Sequence, residues 1–191
     1  MPNLTDEFID LNAVVPSASV RLGVISDTHN RINRFVINAL SGCNVIVHAG
    51  DIGEAGVLHH LEKICPYVFS ARGNNDNENK WPRGDLAVLA TIPHALQLHF
   101  HNQTIAIIHG HQYEPVRKRH DKLRQHFPQA DMIIYGHSHR YACDQQHRPW
   151  VINPGAGGYT RTYGGASCIV ATFREDNWAI EPYIQDPSAS S

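Results

Sequence analysis

The stretch VRLGVISDTH, residues 20–29, is an apolar run that ends at two polar residues, Asp27 and His29. The apolar run predicts a buried β-strand, and the helical spacing of apolar residues within 32–40 predicts a helix after it. The same order recurs in NVIVHAGD, residues 44–51, and in the apolar helical face that follows it. Alternating strands and helices predict parallel strands with helices packed outside them. Open sheets of this kind bind ligands beyond the carboxyl ends of their strands.

The second half of the chain has a different pattern. HALQLHF (94–100) and TIAIIHG (104–110) flank a polar turn, as the two strands of a hairpin would. The segment PVRKRHDKLRQHF (115–127) predicts a helix that begins at its proline and has Val116 on its apolar side. From Tyr141 onward, short apolar segments separated by Gly- and Pro-rich turns predict antiparallel strands.

Length and composition indicate one domain. A chain of 191 residues with 42% hydrophobic and 18% charged residues can bury one full core. We expect residues 1–19 to be an N-terminal extension, 20–184 to be the single domain, and 185–191 to be a disordered tail. Apolar runs are shorter than the roughly 18 residues of a membrane span, and the acidic N-terminus does not resemble a signal peptide. The sequence therefore predicts a cytoplasmic protein without a membrane partner.

Charge and residue counts exclude some functions and favour others. The net charge of −2 and the pI near 6.7 do not indicate a basic surface, so we expect no specific nucleic-acid binding. The four cysteines are scattered singly and form no C-x-x-C pair, which argues against a thiolate metal site. Histidine is abundant, with 14 residues against 16 for Lys and Arg together. This count indicates a use for imidazole.

The predicted core strands all end at polar residues of the same few types. These residues are Asp27 and His29 after the first strand, Asp51 after the second, Asn74, Asn75 and Asp76 after the third, His109 and His111 after the fourth, and His137 and His139 after the fifth. Carboxylates, amides and imidazoles suit Mn²⁺, Fe, Zn²⁺ or Ni²⁺ and are a poor set for Ca²⁺. One such residue alone is more often a cap or a turn residue. Five strand ends of this kind together predict a metal site.

Glycines accompany these candidate ligands. Gly50, Gly73, Gly110 and Gly136 each lie next to one of them, where a residue without Cβ lets the backbone turn sharply. We expect these turns to let ligands from separate strands converge. His48 lies within a predicted strand, so we expect it to support the site rather than to bind metal.

Taken in order, these segments resemble a known signature. SDTH, GD, GNND, HGH and GHSH, followed by INPG at 152–155, are similar to the five motifs of the calcineurin-like metallophosphoesterases. They look most like the YfcE-like phosphodiesterase branch, which includes a retromer subunit of the same fold. The resemblance spans residues 20 to about 184. It implies a four-layer α/β/β/α sandwich of two mixed β-sheets flanked by helices, with a dinuclear metal centre at one edge.

The resemblance also implies a role for each ligand and for the ions. It assigns two divalent transition-metal ions, with Mn²⁺ favoured and Fe, Zn²⁺ or Ni²⁺ as alternatives. The first ion would be held by Asp27, His29, Asp51 and His139, and the second by Asp51, Asn74, His109 and His137. Asp51 would bridge the two ions, and a bridging hydroxide would attack the phosphorus of a small phosphoester substrate.

Asp51, Asn75 and His111 are the residues that the resemblance connects with catalysis. Many larger family members have a histidine where this chain has Asn75, and that histidine is their expected leaving-group acid. Asn75 has no ionisable proton, so either His111 or water must assist, or the substrate must need little assistance. This departure favours phosphodiesters over phosphomonoesters, with monoester hydrolysis as the alternative.

A second hypothesis is a non-catalytic, metal-binding scaffold for protein interactions, similar to the retromer subunit. The discriminating residue is His29, because the subunit has a non-ligating residue at that position. All seven ligand positions are intact in this chain. The sequence therefore favours an enzyme, and it leaves the oligomeric state open between a monomer and a homo-oligomer.

Overall fold

The structure, a computed structural model, describes residues 6–15, 17–174 and 177–189. It contains two β-sheets that pack face to face. The strands are β1 (Asp6–Asp10), β2 (Ser19–Ile25), β3 (Val45–His48), β4 (Val68–Ser70), β5 (Ala95–Phe100), β6 (Gln103–Ile108), β7 (Met132–Tyr135), β8 (Tyr141–Asp144), β9 (Trp150–Pro154), β10 (Ser167–Arg174) and β11 (Asn177–Ile184). The α-helices are α1 (Leu11–Val14), α2 (Arg34–Leu40), α3 (Ala55–Glu62), α4 (Leu86–Thr91) and α5 (Arg119–His126). Single 3₁₀ turns occupy Arg83–Asp85, Val116–Lys118 and Pro187–Ala189.

Both sheets are mixed. The five-stranded sheet has the order β11-β10-β2-β3-β4, in which β2, β3 and β4 are parallel and β10 is antiparallel to β2 and β11. The six-stranded sheet has the order β1-β5-β6-β7-β9-β8, in which β6, β7 and β9 are parallel. The predicted hairpin is confirmed, since β5 and β6 pair antiparallel with Phe100 opposite Gln103.

Three apolar clusters show how the layers pack. The central cluster joins the inner faces of the two sheets, with Val24 and Val47 from one sheet and Ile107 and Ile134 from the other. A second cluster lies between the five-stranded sheet and helices α2, α3 and α4. A third lies between the six-stranded sheet and α5, where Leu123 is fully buried. The predicted sandwich of two mixed sheets flanked by helices is therefore confirmed.

The beginning of the chain differs from its description as an extension of residues 1–19. In the structure, β1 pairs parallel with β5 at the edge of the six-stranded sheet. Leu11 and Val15 are buried in the central cluster. Two elements of five and four residues are too short to show a periodic pattern, so only the contacts reveal them. Residues 1–5 and 16 of this segment lie outside the described part.

Two other segments also differ from their predictions. The helix expected over 115–127 begins as a 3₁₀ turn, and its α-helical part begins only at Arg119. Val116 is 64% exposed rather than packed against the core. In the expected tail, the backbone N–H of Gln185 donates to the carbonyl of Ala166 at 2.9 Å, which ties the start of that segment to the sheet. Residues 190–191 lie outside the described part.

Candidate metal centre

Four of the predicted ligands meet at the edge of the sandwich. Asp27 and His29 follow β2, Asp51 follows β3, and His139 lies in the loop after β7. Each offers one ligand atom, and these atoms all lie within 4.8 Å of one another. The chain brings them together because β2 and β3 are parallel neighbours and the two sheets share this edge. His139 contributes from the opposite sheet, 110 positions from His29.

The short distances in this group join atoms that a cation would hold together. The Nε2 atoms of His29 and His139 lie 3.2 Å apart. Nε2 of His139 lies 3.3 Å from Oδ1 of Asp27, and Nε2 of His29 lies 3.8 Å from Oδ2 of Asp51. Two carboxylates and two imidazole nitrogens thus face one small volume. This donor set suits a borderline divalent metal ion.

A second group of imidazoles lies on the other side of Asp51. Nε2 of His109 lies 3.4 Å from Oδ1 of Asp51, so this carboxylate faces both groups. Nδ1 of His109 lies 2.8 Å from the carbonyl of Ala49, and this contact orients the ring with Nε2 toward Asp51. The ring of His137 lies 5.3 Å from that of His109 and 6.1 Å from that of His111. Asn74 is exposed on the adjacent loop, and its ligand role stays a prediction.

Burial sets the protonation of these side chains. It lowers the pKa of His111 and that of His139 to about 4, and it also lowers the pKa of His29 and that of His137. These four imidazoles are therefore neutral at pH 7, which is the form that binds metal ions. Burial raises the pKa of Asp27 from 3.8 to about 7. The charge of His109 and the hydrogen bonds from Ser26 and His137 lower this pKa, but they offset only part of the effect of burial.

Asp51 and His109 behave as a pair. Burial alone would raise the pKa of Asp51, but the hydrogen bond and charge of His109 and hydrogen bonds from Asn75 hold it below its usual value. Burial alone would lower the pKa of His109, and Asp51 and Asp27 raise it instead. An imidazolium at His109 thus balances Asp51 in the metal-free protein. A metal ion bound at Asp51 would balance the carboxylate charge instead, and the His109 imidazolium would lose its proton.

The backbone at five predicted ligands adopts an uncommon conformation. Left-handed φ angles are found at Asp27 (54°), His29 (44°), Asp51 (56°), His137 (67°) and His139 (57°). Non-glycine residues rarely adopt this region, which costs roughly 1–3 kcal/mol for each residue. These turns reverse the chain directly after the strands and aim the side chains at one point. The surrounding packing must hold them there.

Two of the predicted glycines allow the loops to approach closely. A Cβ at Gly73 would lie 2.2 Å from the backbone nitrogen of Asp51, and one at Gly136 would lie 2.5 Å from Oγ of Ser26. Both distances are shorter than the 3.0 Å below which a Cβ atom meets a non-bonded atom only by displacing it. The absence of a side chain is therefore what lets the loops after β4 and β7 reach the Asp51 and Asp27 segments.

Asp76 supports the centre, although the sequence gave it no role beyond its place among the polar residues at a strand end. Its buried carboxylate accepts hydrogen bonds from the backbone of Ile52 (2.9 Å), Gly53 (3.0 Å) and Gly73 (2.8 Å) and from the indole of Trp81 (2.9 Å). It thereby ties the loop that carries Asp51 to the loop after β4. Its position at the end of the GNND segment was the available signal.

Two further residues have contacts that refine their predicted roles. His48 is fully buried, its Nε2 lies 2.9 Å from Oγ1 of Thr28, and its Nδ1 accepts from the backbone of Gly50 at 3.2 Å. This supporting position agrees with the prediction. Asn75 donates from its backbone (2.8 Å) and from its side chain (2.5 Å) to the carboxylate of Asp51, and its Oδ1 accepts from Lys80.

The sequence also gave no role to Arg161. Its Nη2 lies 3.0 Å from Nε2 of His29, within the group of four ligands. Arg161 belongs to the glycine-rich loop that follows the INPG segment, and it is exposed. Arg161 and His29 are 132 positions apart in the sequence, so only the folded structure shows their contact.

Comparison with known sequences identifies the family of the chain. Residues 20–176 match the Calcineurin-like phosphoesterase superfamily domain. The chain belongs to this superfamily. Among curated proteins, it is 27% identical over 144 residues to Phosphodiesterase MJ0936 of Methanocaldococcus jannaschii, a match that covers 71% of this chain and 83% of that protein.

Solved structures share the fold of this calcineurin-like phosphoesterase. A double mutant of Vps29 from Entamoeba histolytica superposes with a TM-score of 0.73 at 17% identity, over 88% of this chain and 94% of that one. An archaeal phosphodiesterase superposes with a TM-score of 0.64 at 20% identity, over 86% and 99% of the two chains.

Among the residues that the structure describes, no helix is both long and apolar enough to cross a membrane.

Proposed function

We propose that this chain is a phosphodiesterase that requires two divalent transition-metal ions. The observation that carries the proposal is the meeting of Asp27, His29, Asp51 and His139 within 4.8 Å at the sheet edge. Membership of the calcineurin-like superfamily supports hydrolysis of phosphoric esters, and the similarity to Phosphodiesterase MJ0936 supports diesters. Mn²⁺ is the ion we expect, with Fe, Zn²⁺ or Ni²⁺ as alternatives.

The residues fit such ions on structural grounds. Oδ1 of Asp27 and Nε2 of His109 are buried and lack hydrogen bonds of good geometry: their nearest polar contacts among the described residues are Nε2 of His139 at 3.3 Å and Oδ1 of Asp51 at 3.4 Å. A buried polar atom without a partner is costly, and a cation would satisfy both atoms. One ion would be held by Asp27, His29, Asp51 and His139, and the other by Asp51, Asn74, His109 and His137. The ions would supply Lewis-acid chemistry, polarising a phosphoryl oxygen and lowering the pKa of water to about 7.

The chain itself orients these groups. Two hydrogen bonds from Asn75 fix both carboxylate oxygens of Asp51, so that Asp51 can face the two groups of imidazoles at once. Its side-chain N–H₂ donates to Asp51 and its oxygen accepts from Lys80, so Asn75 acts on Asp51, and its amide has no ionisable proton for the leaving group. We assign it a positioning role.

His111 is suited to binding the substrate rather than to protonating the leaving group. It is half-buried beside His109 and His137. With its pKa lowered to about 4, the ring is neutral at pH 7 and offers one N–H to a phosphoryl oxygen. A neutral imidazole is a weak acid, so the enzyme should prefer diesters whose leaving groups need little protonation.

The test compares hydrolysis of bis(p-nitrophenyl) phosphate and p-nitrophenyl phosphate with Mn²⁺ or with EDTA. We expect Mn²⁺-dependent release of nitrophenol, faster from the diester, and a loss of at least about a thousandfold in Asp51→Asn, because the variant removes the shared negative ligand. Equal rates in wild type and Asp51→Asn would remove the proposed activity. A faster monoester rate would leave a phosphoesterase but overturn the diester preference.

A protein-interaction scaffold is the second candidate function. The structural similarity to Vps29 favours it, although similarity at 17% identity shows only the fold. Against it stands His29, whose Nε2 lies within the ligand group. The scaffold reading predicts that the wild-type protein binds Mn²⁺ and still hydrolyses neither ester.

A further inference from the structure

Arg161 places a permanent positive charge directly at the candidate metal centre. Its guanidinium Nη2 lies 3.0 Å from Nε2 of His29 and donates to the lone pair of that imidazole. Among the described residues, no carboxylate forms an ion pair with Arg161. The charge of Arg161 also lowers the pKa values of His29 and His139, where burial is the larger cause. The guanidinium is therefore close to the centre and without an anionic partner.

The contact between Arg161 and His29 is incompatible with metal binding at His29. Arg has N–H donors and no acceptor, so it needs the lone pair of Nε2 for this hydrogen bond. The same Nε2 faces the other candidate ligands, 3.2 Å from Nε2 of His139 and 3.8 Å from Oδ2 of Asp51. One lone pair cannot serve both partners. An ion bound by His29 must displace the guanidinium, and the guanidinium then needs another acceptor.

The loop of Arg161 is anchored by its backbone, while the side chain is exposed and held by its contact with His29. The backbone N–H of Tyr163 donates to the carbonyl of Arg161 at 3.0 Å, and Gly165 donates to Thr162 at 3.0 Å. The guanidinium of Arg140 lies 4.4 Å from the centre of the Tyr163 ring, which stacks the loop on the segment after His139. Arg161 itself is exposed. A rotation of its side chain can thus move the guanidinium by a few ångströms without moving the loop.

The acceptor that fits this position is an anion held between Arg161 and the metal centre. A guanidinium beside divalent cations is repelled by them unless an anion lies between. The planar fork of Arg matches two oxygens of a phosphate. A phosphodiester has such oxygens on the phosphorus that the centre would attack.

We propose that Arg161 binds the phosphoryl group of the substrate. In the metal-free protein, its guanidinium instead donates to Nε2 of His29, the atom that would bind the ion. This inference rests on the proposed metal-dependent phosphodiesterase, because the phosphoryl group is that of its substrate. It predicts that removing the guanidinium weakens phosphate binding but does not weaken metal binding. A residue that only held the loop would affect both.

Calorimetry on the full chain separates these effects. Wild type, Arg161→Gln, Arg161→Lys and Arg174→Gln are titrated first with Mn²⁺ and then, when loaded, with inorganic phosphate. Arg174 is the matched control, because it pairs with Ser19 at the opposite end of β2 from Asp27. We expect Arg161→Gln to bind phosphate about ten- to hundredfold more weakly, with Arg161→Lys in between and Arg174→Gln equal to wild type. Mn²⁺ affinity in Arg161→Gln should equal or exceed that of wild type.

Two results would overturn the inference. One is wild-type phosphate affinity in Arg161→Gln, and the other is a loss of Mn²⁺ affinity in that variant. Absence of phosphate binding to Mn²⁺-loaded wild type would overturn it as well. Failure of the proposed activity is a separate outcome, because a wild type that hydrolyses no ester but binds phosphate through Arg161 would support the inference. Under steady-state conditions, the same variant should raise KM for the diester more than it lowers kcat.

Discussion

Replacing Asp27 by asparagine tests the electrostatic cost of the centre in the absence of metal. The side chain is fully buried, and Oδ2 accepts from Oγ of Ser26 and from the backbone of His137 at 3.0 Å. An asparagine oxygen can accept the same two bonds, and its N–H₂ can donate to Nε2 of His139, which lies 3.3 Å from Oδ1. The variant therefore removes a charge without creating a cavity.

The sign and size of the effect follow from the raised pKa of Asp27. Because the pKa rises from 3.8 in the unfolded chain to about 7 in the folded protein, the folded state binds more protons between these values. Stability from this group is therefore fully present below pH 3.8 and is lost as pH rises to about 7. At about 1.4 kcal/mol per pH unit, the loss is about 4 kcal/mol.

Urea unfolding in EDTA between pH 4 and pH 8 measures this difference. We expect Asp27→Asn to gain stability relative to wild type as pH rises, by up to about 4 kcal/mol at pH 8, with the change centred below pH 7. Mn²⁺ should stabilise wild type and not the variant. Asp121→Asn, on the exposed side of α5, is the control and should show a flat difference. A flat difference in Asp27→Asn, or full stabilisation of that variant by Mn²⁺, would refute the reasoning.

The remaining predictions concern the loops around the centre. Asp76→Asn should lower the free energy of unfolding in urea by about 1–3 kcal/mol. In the wild type, the backbone N–H of Gly73 donates to Oδ2 of Asp76 at 2.8 Å, and in the variant the asparagine N–H₂ would face this N–H, so that two donors meet. A change below about 0.5 kcal/mol would contradict this. Gly73→Ala should weaken Mn²⁺ binding by tenfold or more, since its Cβ would lie 2.2 Å from the nitrogen of Asp51. Gly84→Ala is its control, because a Cβ there meets nothing within 4 Å, and equal Mn²⁺ affinities in both variants would show that the close approach is not needed.

Much of the fold follows from local patterns. The strand that precedes Asp27 and the hairpin of β5 and β6 were predictable, because apolar periodicity and polar turns are properties of neighbouring residues. The edge strand β1 was not, since five residues have no period and gain their stability from pairing with β5. The helix expected at Pro115 is α-helical only from Arg119, since the preceding turn has an exposed Val116 and no core contact among the described residues to stabilise it as α-helix.

The candidate centre, like the fold, was predictable from the sequence only in part. The amino-acid sequence by itself determined which ligand types end the strands and, through five ordered motifs, the superfamily. The tertiary structure alone decided that His139 reaches Asp27 from the opposite sheet, that Asp76 ties two loops together, and that Arg161 faces His29. It also decided that the pKa of Asp27 is raised to about 7. The contacts of His139 and Arg161 with His29 join residues more than a hundred positions apart, and the contact of Asp76 with Ile52 joins residues 24 positions apart, so no local pattern contains them.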